Sequence, residues 1–116
     1  MELIAQNKSS AKISITCDRD SVCVGDDIDS HKRQIRIQPT HDTALLLERV
    51  LAVFTIYNMP NAIWAVWLND VPIATIATGW VMRYLVPEVS LKDGDKLYFG
   101  YYLDDVDDRR LPSVFG

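Results

Sequence analysis

"PTHDTALLLERVLAVF", residues 39–54, is the only stretch of this chain with sustained helical periodicity, and it decides the fold class. Leu47, Val50, Leu51 and Phe54 recur at the spacing that lines one face of a helix, and Leu46 and Val53 widen that face. Pro39 closes whatever precedes it. Asp42 or Thr43 supplies a side-chain oxygen for the free N–H groups of the first turn. Asn58 and Pro60 interrupt the pattern, so the helix is expected to end near Tyr57.

On either side of this segment the period changes to two. Before it, Ile13, Ile15 and Cys17 alternate with Ser14, Thr16 and Asp18, and Ile35 and Ile37 alternate with Gln34, Arg36 and Gln38. Both runs predict half-buried strands. After it, "AIWAVWLNDVPIATIATGW" (62–80) predicts a hairpin turning at Asn69-Asp70, two residues that tolerate a left-handed backbone. Pro72 cannot donate to a ladder, so its strand lies at an edge or begins there. Trp80–Leu85 is a further short strand candidate. "VSLKDGDKLYFGYYL" (89–103) places a tight turn at Asp93-Gly94 ahead of a strand in which Leu97, Phe99, Tyr101 and Leu103 alternate with Tyr98, Gly100 and Tyr102. The expected fold is α+β: a single domain over 1–116, with one main helix packed on a mixed sheet of about five strands in the order β-β-α-β-β-β. Residues 1–10 and 109–116 are expected to be loosely held ends.

The order of elements, the "IQPTHDTALLLERVL" lead into the helix and the late "VSLKDGDKLYFGYY" strand resemble a ubiquitin-like β-grasp fold. The resemblance covers most of 12–103 and implies that the first and last strands pair in parallel at the sheet centre. The carboxyl terminus, "PSVFG", lacks the flexible Gly-Gly that a ubiquitin-like carrier needs for activation.

The connection between the first two strands is unusual. "CDRDSVCVGDDIDSHKR" (17–33) holds five aspartates, Asp18, Asp20, Asp26, Asp27 and Asp29, with Cys17, Cys23 and His31 among them. Cys17, Cys23, His31 and His41 form a Cys2His2 inventory, but the spacing C-x5-C-x7-H-x9-H lacks the close cysteine pair of a structural zinc knuckle. Cys17 also shares the inward parity of Ile13 and Ile15. The aspartates lack the register and terminal Glu of an EF-hand loop. Acid–base catalysis needs a carboxyl raised in pKa by burial, whereas these lie among Arg19, Lys32 and Arg33 in a polar loop. Ser21 and Ser30 could each pair with His31, but a triad is defined by geometry. No phosphate loop or hydrolase motif is present. The expectation is a non-enzymatic protein with no cofactor and no metal.

Net charge is −4, and of 16 acidic residues five lie in 18–29 and four in the tail, at Asp104, Asp105, Asp107 and Asp108. This balance argues against nucleic-acid binding, which needs a basic face, and suits a basic protein partner. The N-terminus has neither the basic region nor the apolar region of a signal peptide, and no apolar run is long enough to span a bilayer. A cytoplasmic location is expected, with no membrane association.

Aromatic anchors accompany the charge. Trp64 and Trp67 have opposite parity in one strand, so only one can face the helix. The other is exposed, covered by Trp80–Leu85, or held in an interface. Tyr98 and Tyr102 stand opposite the apolar parity of their strand. The acidic stretch, with the chain's size and charge, also resembles small immunity proteins of contact-dependent and other polymorphic toxin systems. That resemblance implies a cytoplasmic, catalytically inert protein whose partner is a cognate toxin domain, commonly a nuclease. The partner-binding candidates are Asp18, Asp20, Asp26, Asp27, Asp29, Trp67, Tyr98 and Tyr102. The rival readings are a β-grasp-type adaptor in another pathway and a small metal-binding protein that uses the Asp/Cys/His loop.

Overall fold

The computed structural model describes residues 11–22, 30–103 and 111–115. They form a compact α+β domain of one α-helix and a mixed sheet. Strand β1 is Ile13–Arg19, β2 Arg33–Ile37, β3 Ala62–Leu68, β4 Val71–Ala77, β5 Val81–Tyr84 and β6 Lys96–Leu103. Helix α1 spans Thr43–Leu51, and a 3-10 turn covers Ser113–Phe115. The sheet therefore has six strands rather than about five. The extra one is β5, the short Val81–Tyr84 segment, which pairs with β4 from Ala74↔Tyr84 to Ala77↔Val81.

The spatial order is β2-β1-β6-β3-β4-β5. β1 and β6 run parallel in the middle, with Cys17 opposite Leu97 and Arg19 opposite Phe99. Every other pair is antiparallel. Two turns set the register. Asn69 and Asp70 both take positive φ, 49° and 68°, as the β3–β4 turn requires. Gly94, at φ 90°, donates to the Ser14 carbonyl at 2.8 Å, and the Ser14 N–H donates to the Asp93 side chain at 2.8 Å, so the turn before β6 is tied directly to β1. Pro72 sits beyond the last β4–β5 pair, where its missing N–H costs no ladder bond.

One face of the sheet carries the core. Ile15, Cys17, Trp64, Val66, Leu97 and Phe99 project toward α1, whose Leu46, Leu47 and Val50 are fully buried. Each such aliphatic side chain contributes about 1.5–3 kcal/mol on leaving water. A β-bulge between Val66 and Trp67 lets consecutive Ile73 and Ala74 both reach this core. Asp42, not Thr43, is the N-cap, accepting from the N–H groups of Ala44 and Leu45. The helix ends at Leu51, earlier than the expected Tyr57. Val53, Thr55 and Ile56 are β-branched and disfavour continuation, and leaving the helix lets both Phe54 and Ile56 enter the core. Phe54 stacks on Phe99 with ring centroids 5.6 Å apart.

Candidate functional site: the outer face of the sheet

Alternation on the three central strands builds a second face. Thr16 and Asp18 of β1, Tyr98, Gly100 and Tyr102 of β6, and Ala65 and Trp67 of β3 all point away from α1, because their neighbours Cys17, Phe99 and Val66 point toward it. Trp67 is the centre of this face. Its ring lies 6.2 Å from Tyr98, 6.5 Å from Tyr102 and 4.9 Å from Phe115, the last edge-on at 84°. Directly beneath is Gly100, where a Cβ would come within 2.7 Å of Trp67 Cζ3.

The two tryptophans of β3 take opposite faces of the sheet, as their parity requires. Trp64 faces the core, donating its Nε1–H to the Tyr57 carbonyl at 2.8 Å. Trp67 faces outward, but its cover is the C-terminal turn and not Trp80–Leu85. Phe115, in a segment expected to be loosely held, is 1% exposed, and its carbonyl accepts from Arg83 Nη1 at 2.9 Å. Among the described residues, the turn shelters the β3–β5 side of the face and leaves the β1–β6 side open.

That open side is a depression of about 410 Å3, lined by Thr16, Asp18, Lys32, Trp67, Asn69, Asp70, Lys96, Leu97 and Tyr98. Tyr98 is 37% exposed. Asp18 uses one carboxylate oxygen to accept from the Arg19 N–H at 2.8 Å. Asp20 is bound into the fold instead. Its N–H donates to the Phe99 carbonyl at 2.9 Å, its carboxylate accepts from the Tyr101 N–H at 2.8 Å, and the Tyr98 hydroxyl donates to the same carboxylate. Asp20 thus finishes the β1–β6 ladder with a side chain and fixes the Tyr98 ring.

Five of the eight sequence candidates, Asp18, Asp20, Trp67, Tyr98 and Tyr102, therefore meet at one face, and Asp26, Asp27 and Asp29 lie outside the described residues. Sequence reasoning missed Lys32 and Lys96, which make the depression mixed in charge, and missed Phe115. Gly100 carried a signal: a glycine inside the aromatic run "YFGYY" marks a close approach.

The remaining candidates fall elsewhere. Cys17 is 0% exposed, and burial pushes its thiol up to about 12. Cys23 is outside the described residues. Among the described residues no three of His, Cys, Asp and Glu are grouped to share a metal ion. Ser21 Oγ and His31 Nε2 do meet, at 2.9 Å. A Ser–His contact becomes a nucleophile only when a third group orients the imidazole and donors await an oxyanion. Ser21 does not line the depression beside His31, which is formed by Arg19, Arg33, Val53, Phe54, Thr55 and Tyr57. Arg19 continues the inward parity of β1. It is buried, with its guanidinium 5.0 Å from the Tyr57 ring centroid.

Among the described residues no helix is long and apolar enough to cross a membrane. No protein-family model matches the chain, and no curated protein or solved structure matches it.

Proposed function

We propose that this chain is a non-enzymatic immunity or inhibitor protein of β-grasp type, acting in the cytoplasm on a basic toxin domain. The strand order, the parallel β1–β6 pair and the single helix on one face support the β-grasp reading. The observation that carries the functional reading is the convergence of Trp67, Tyr98 and Tyr102 with Asp18 on an open sheet face.

Tyrosine and tryptophan give large contact area at small entropy cost and dominate interface energetics when desolvated. Asp20 adds to this by holding the Tyr98 ring before the partner arrives, which lowers the ordering cost of binding. The division of labour is specific. The chain's net charge of −4 steers a cationic partner, while the aromatic ground of the depression supplies the residence time. Lys32 and Lys96 at the rim select against a merely polycationic surface, since such a partner meets like charge there.

The test is inhibition of the toxin domain encoded by the neighbouring gene. Equimolar protein abolishes the toxin's activity, and Tyr98→Ala weakens the complex by about thirtyfold, the loss typical of a hot-spot aromatic. Asp18→Lys slows association at low salt more than it speeds dissociation. Failure of the folded protein to bind or inhibit that toxin rules the reading out.

A further inference from the structure

The depression beside His31 lies on the opposite side of the sheet from the aromatic one. Arg19 follows the inward parity of Cys17, and Arg33 stands directly opposite Cys17 in the β1–β2 ladder. Both guanidinium groups therefore leave the sheet on the α1 side. Continuing that register by two residues sets His31 opposite Arg19. The chain just past α1 closes the depression, with the Thr55 hydroxyl and the Tyr57 ring in its lining.

The charge of this depression runs against that of the chain. Net charge is −4, yet the described residues that line the depression include two arginines and a histidine and no Asp or Glu. Arg19 is only 8% exposed. Ile15 and Cys17 set an apolar parity at its position, where a methionine would avoid the desolvation that a buried guanidinium costs. A cation kept there points to a use for its charge. Its plane is fixed on two sides: Nη1 donates to the Asp20 carbonyl at 3.0 Å, and the Tyr57 ring centroid lies 5.0 Å from the guanidinium. Arg33 is exposed, and its Nη1 donates to the Ser30 and Lys32 carbonyls, both at 2.8 Å. Backbone carbonyls orient a guanidinium without cancelling its charge. The volume, about 260 Å3, lies below the range of about 300–1,000 Å3 for sites that enclose drug-sized molecules, so it suits a single charged group.

We infer that this depression binds a phosphate group between Arg19 and Arg33, with the His31 ring and the Thr55 hydroxyl beside it. The guanidinium fork matches the oxygens of an oxyanion in pairs. A phosphate is favoured over a carboxylate because it brings more negative charge and more acceptor oxygens to two cations. Val53 and Tyr57, both exposed, add apolar surface for the organic part of a phosphomonoester. The site shares no residue with the aromatic depression, so it stands whether or not the inhibitor reading does.

Isothermal titration calorimetry on the intact chain tests this, with inorganic phosphate, phenyl phosphate and acetate as probes at one ionic strength. Phosphate binds with a Kd below about 1 mM, and acetate binds about tenfold more weakly. Phenyl phosphate binding tighter than inorganic phosphate assigns the site to an ester, and the reverse order assigns it to the free ion. Arg33→Gln alters an exposed side chain, keeps the fold, and weakens phosphate by about tenfold, the loss of one charge-assisted hydrogen bond. Arg33→Lys keeps the charge without the fork and retains only part of the affinity. Arg19→Met suits the inward parity and abolishes binding. Arg36→Gln removes the same charge from the other face of β2, where Arg36 stands opposite Ser14, and leaves the affinity unchanged. Absence of phosphate binding up to about 10 mM overturns the inference. So does acetate binding as tightly as phosphate, or Arg36→Gln as damaging as Arg33→Gln, because the attraction would then be general rather than local.

Discussion

Gly100→Ala tests the architecture of the outer face directly. In an ordinary strand this change stabilises, because glycine loses the most backbone freedom on folding, and the gain is about 0.5–1 kcal/mol. Here the new methyl would sit 2.7 Å from Trp67 Cζ3, 3.1 Å from Tyr102 Cε2 and 3.2 Å from Trp67 Cη2. The indole has little freedom to retreat, since Phe115 meets it edge-on at 4.9 Å and Tyr98 and Tyr102 flank it. Forcing an extra methyl into a packed site costs about 1–3 kcal/mol, so the overpacking outweighs the entropy gain and the net loss is about 1–2 kcal/mol. For a domain of this size that lowers Tm by roughly 5–10 °C. Urea unfolding monitored by tryptophan fluorescence measures it, and displacement of the Trp67 ring adds a shift in the native emission maximum. The double variant Gly100→Ala with Trp67→Phe removes the obstructing atoms, so the two changes couple favourably by about 1 kcal/mol. A Gly100→Ala chain that is more stable than the parent, with unchanged emission, refutes the packing of Trp67 on Gly100.

Other expectations are independent of that face or extend it. Thr43 is fully buried and its Oγ1 has no hydrogen-bond partner, so the near-isosteric Thr43→Val raises stability by about 1 kcal/mol in denaturant titration. Phe115→Ala empties the cover of Trp67, costs about 3 kcal/mol, and red-shifts the native fluorescence. The Cys17 thiol is pushed from 9.0 to about 12 in the folded chain, so between those pH values the unfolded state has lost a proton that the native state keeps. Stability from this group is whole below about pH 9 and declines as pH rises toward 12. Cys17→Ala flattens that decline, and in a Cys23→Ser background the native protein resists thiol reagents until it is denatured.

Much of the topology was legible because it rests on short-range chemistry. The Asn69-Asp70 and Asp93-Gly94 turns, the Asp42 cap and the alternation of β1, β3 and β6 each declare themselves within a few residues. The end of α1 was not legible, since the apolar period persists through Phe54 while the chain departs at Leu51 to seat Phe54 and Ile56. Arg19 was read as part of a polar loop because its chemistry is polar, yet the parity of Ile15 and Cys17 carries it inward onto Tyr57. The five site residues could be named individually, and the β1–β6 pairing that brings them together, across about eighty positions, was implied only by the β-grasp resemblance, because no local pattern encodes it. The cover of Trp67 by Phe115 was invisible for the same reason.

The placement of β6 also governs when this molecule can come into being. Among the described residues, β6 is the only strand that touches both the β1–β2 hairpin and the β3–β4–β5 meander. A ribosome making this chain delivers residues 96–103 only after β1 to β5 have been made. Until then the two halves of the sheet have no common neighbour, and closure across so long a loop is slow. A nascent chain that stops short of Leu103 holds two orphan fragments with bare edges, ready substrates for proteases and for one another. Delivery of β6 and closure of the sheet are therefore nearly the same event.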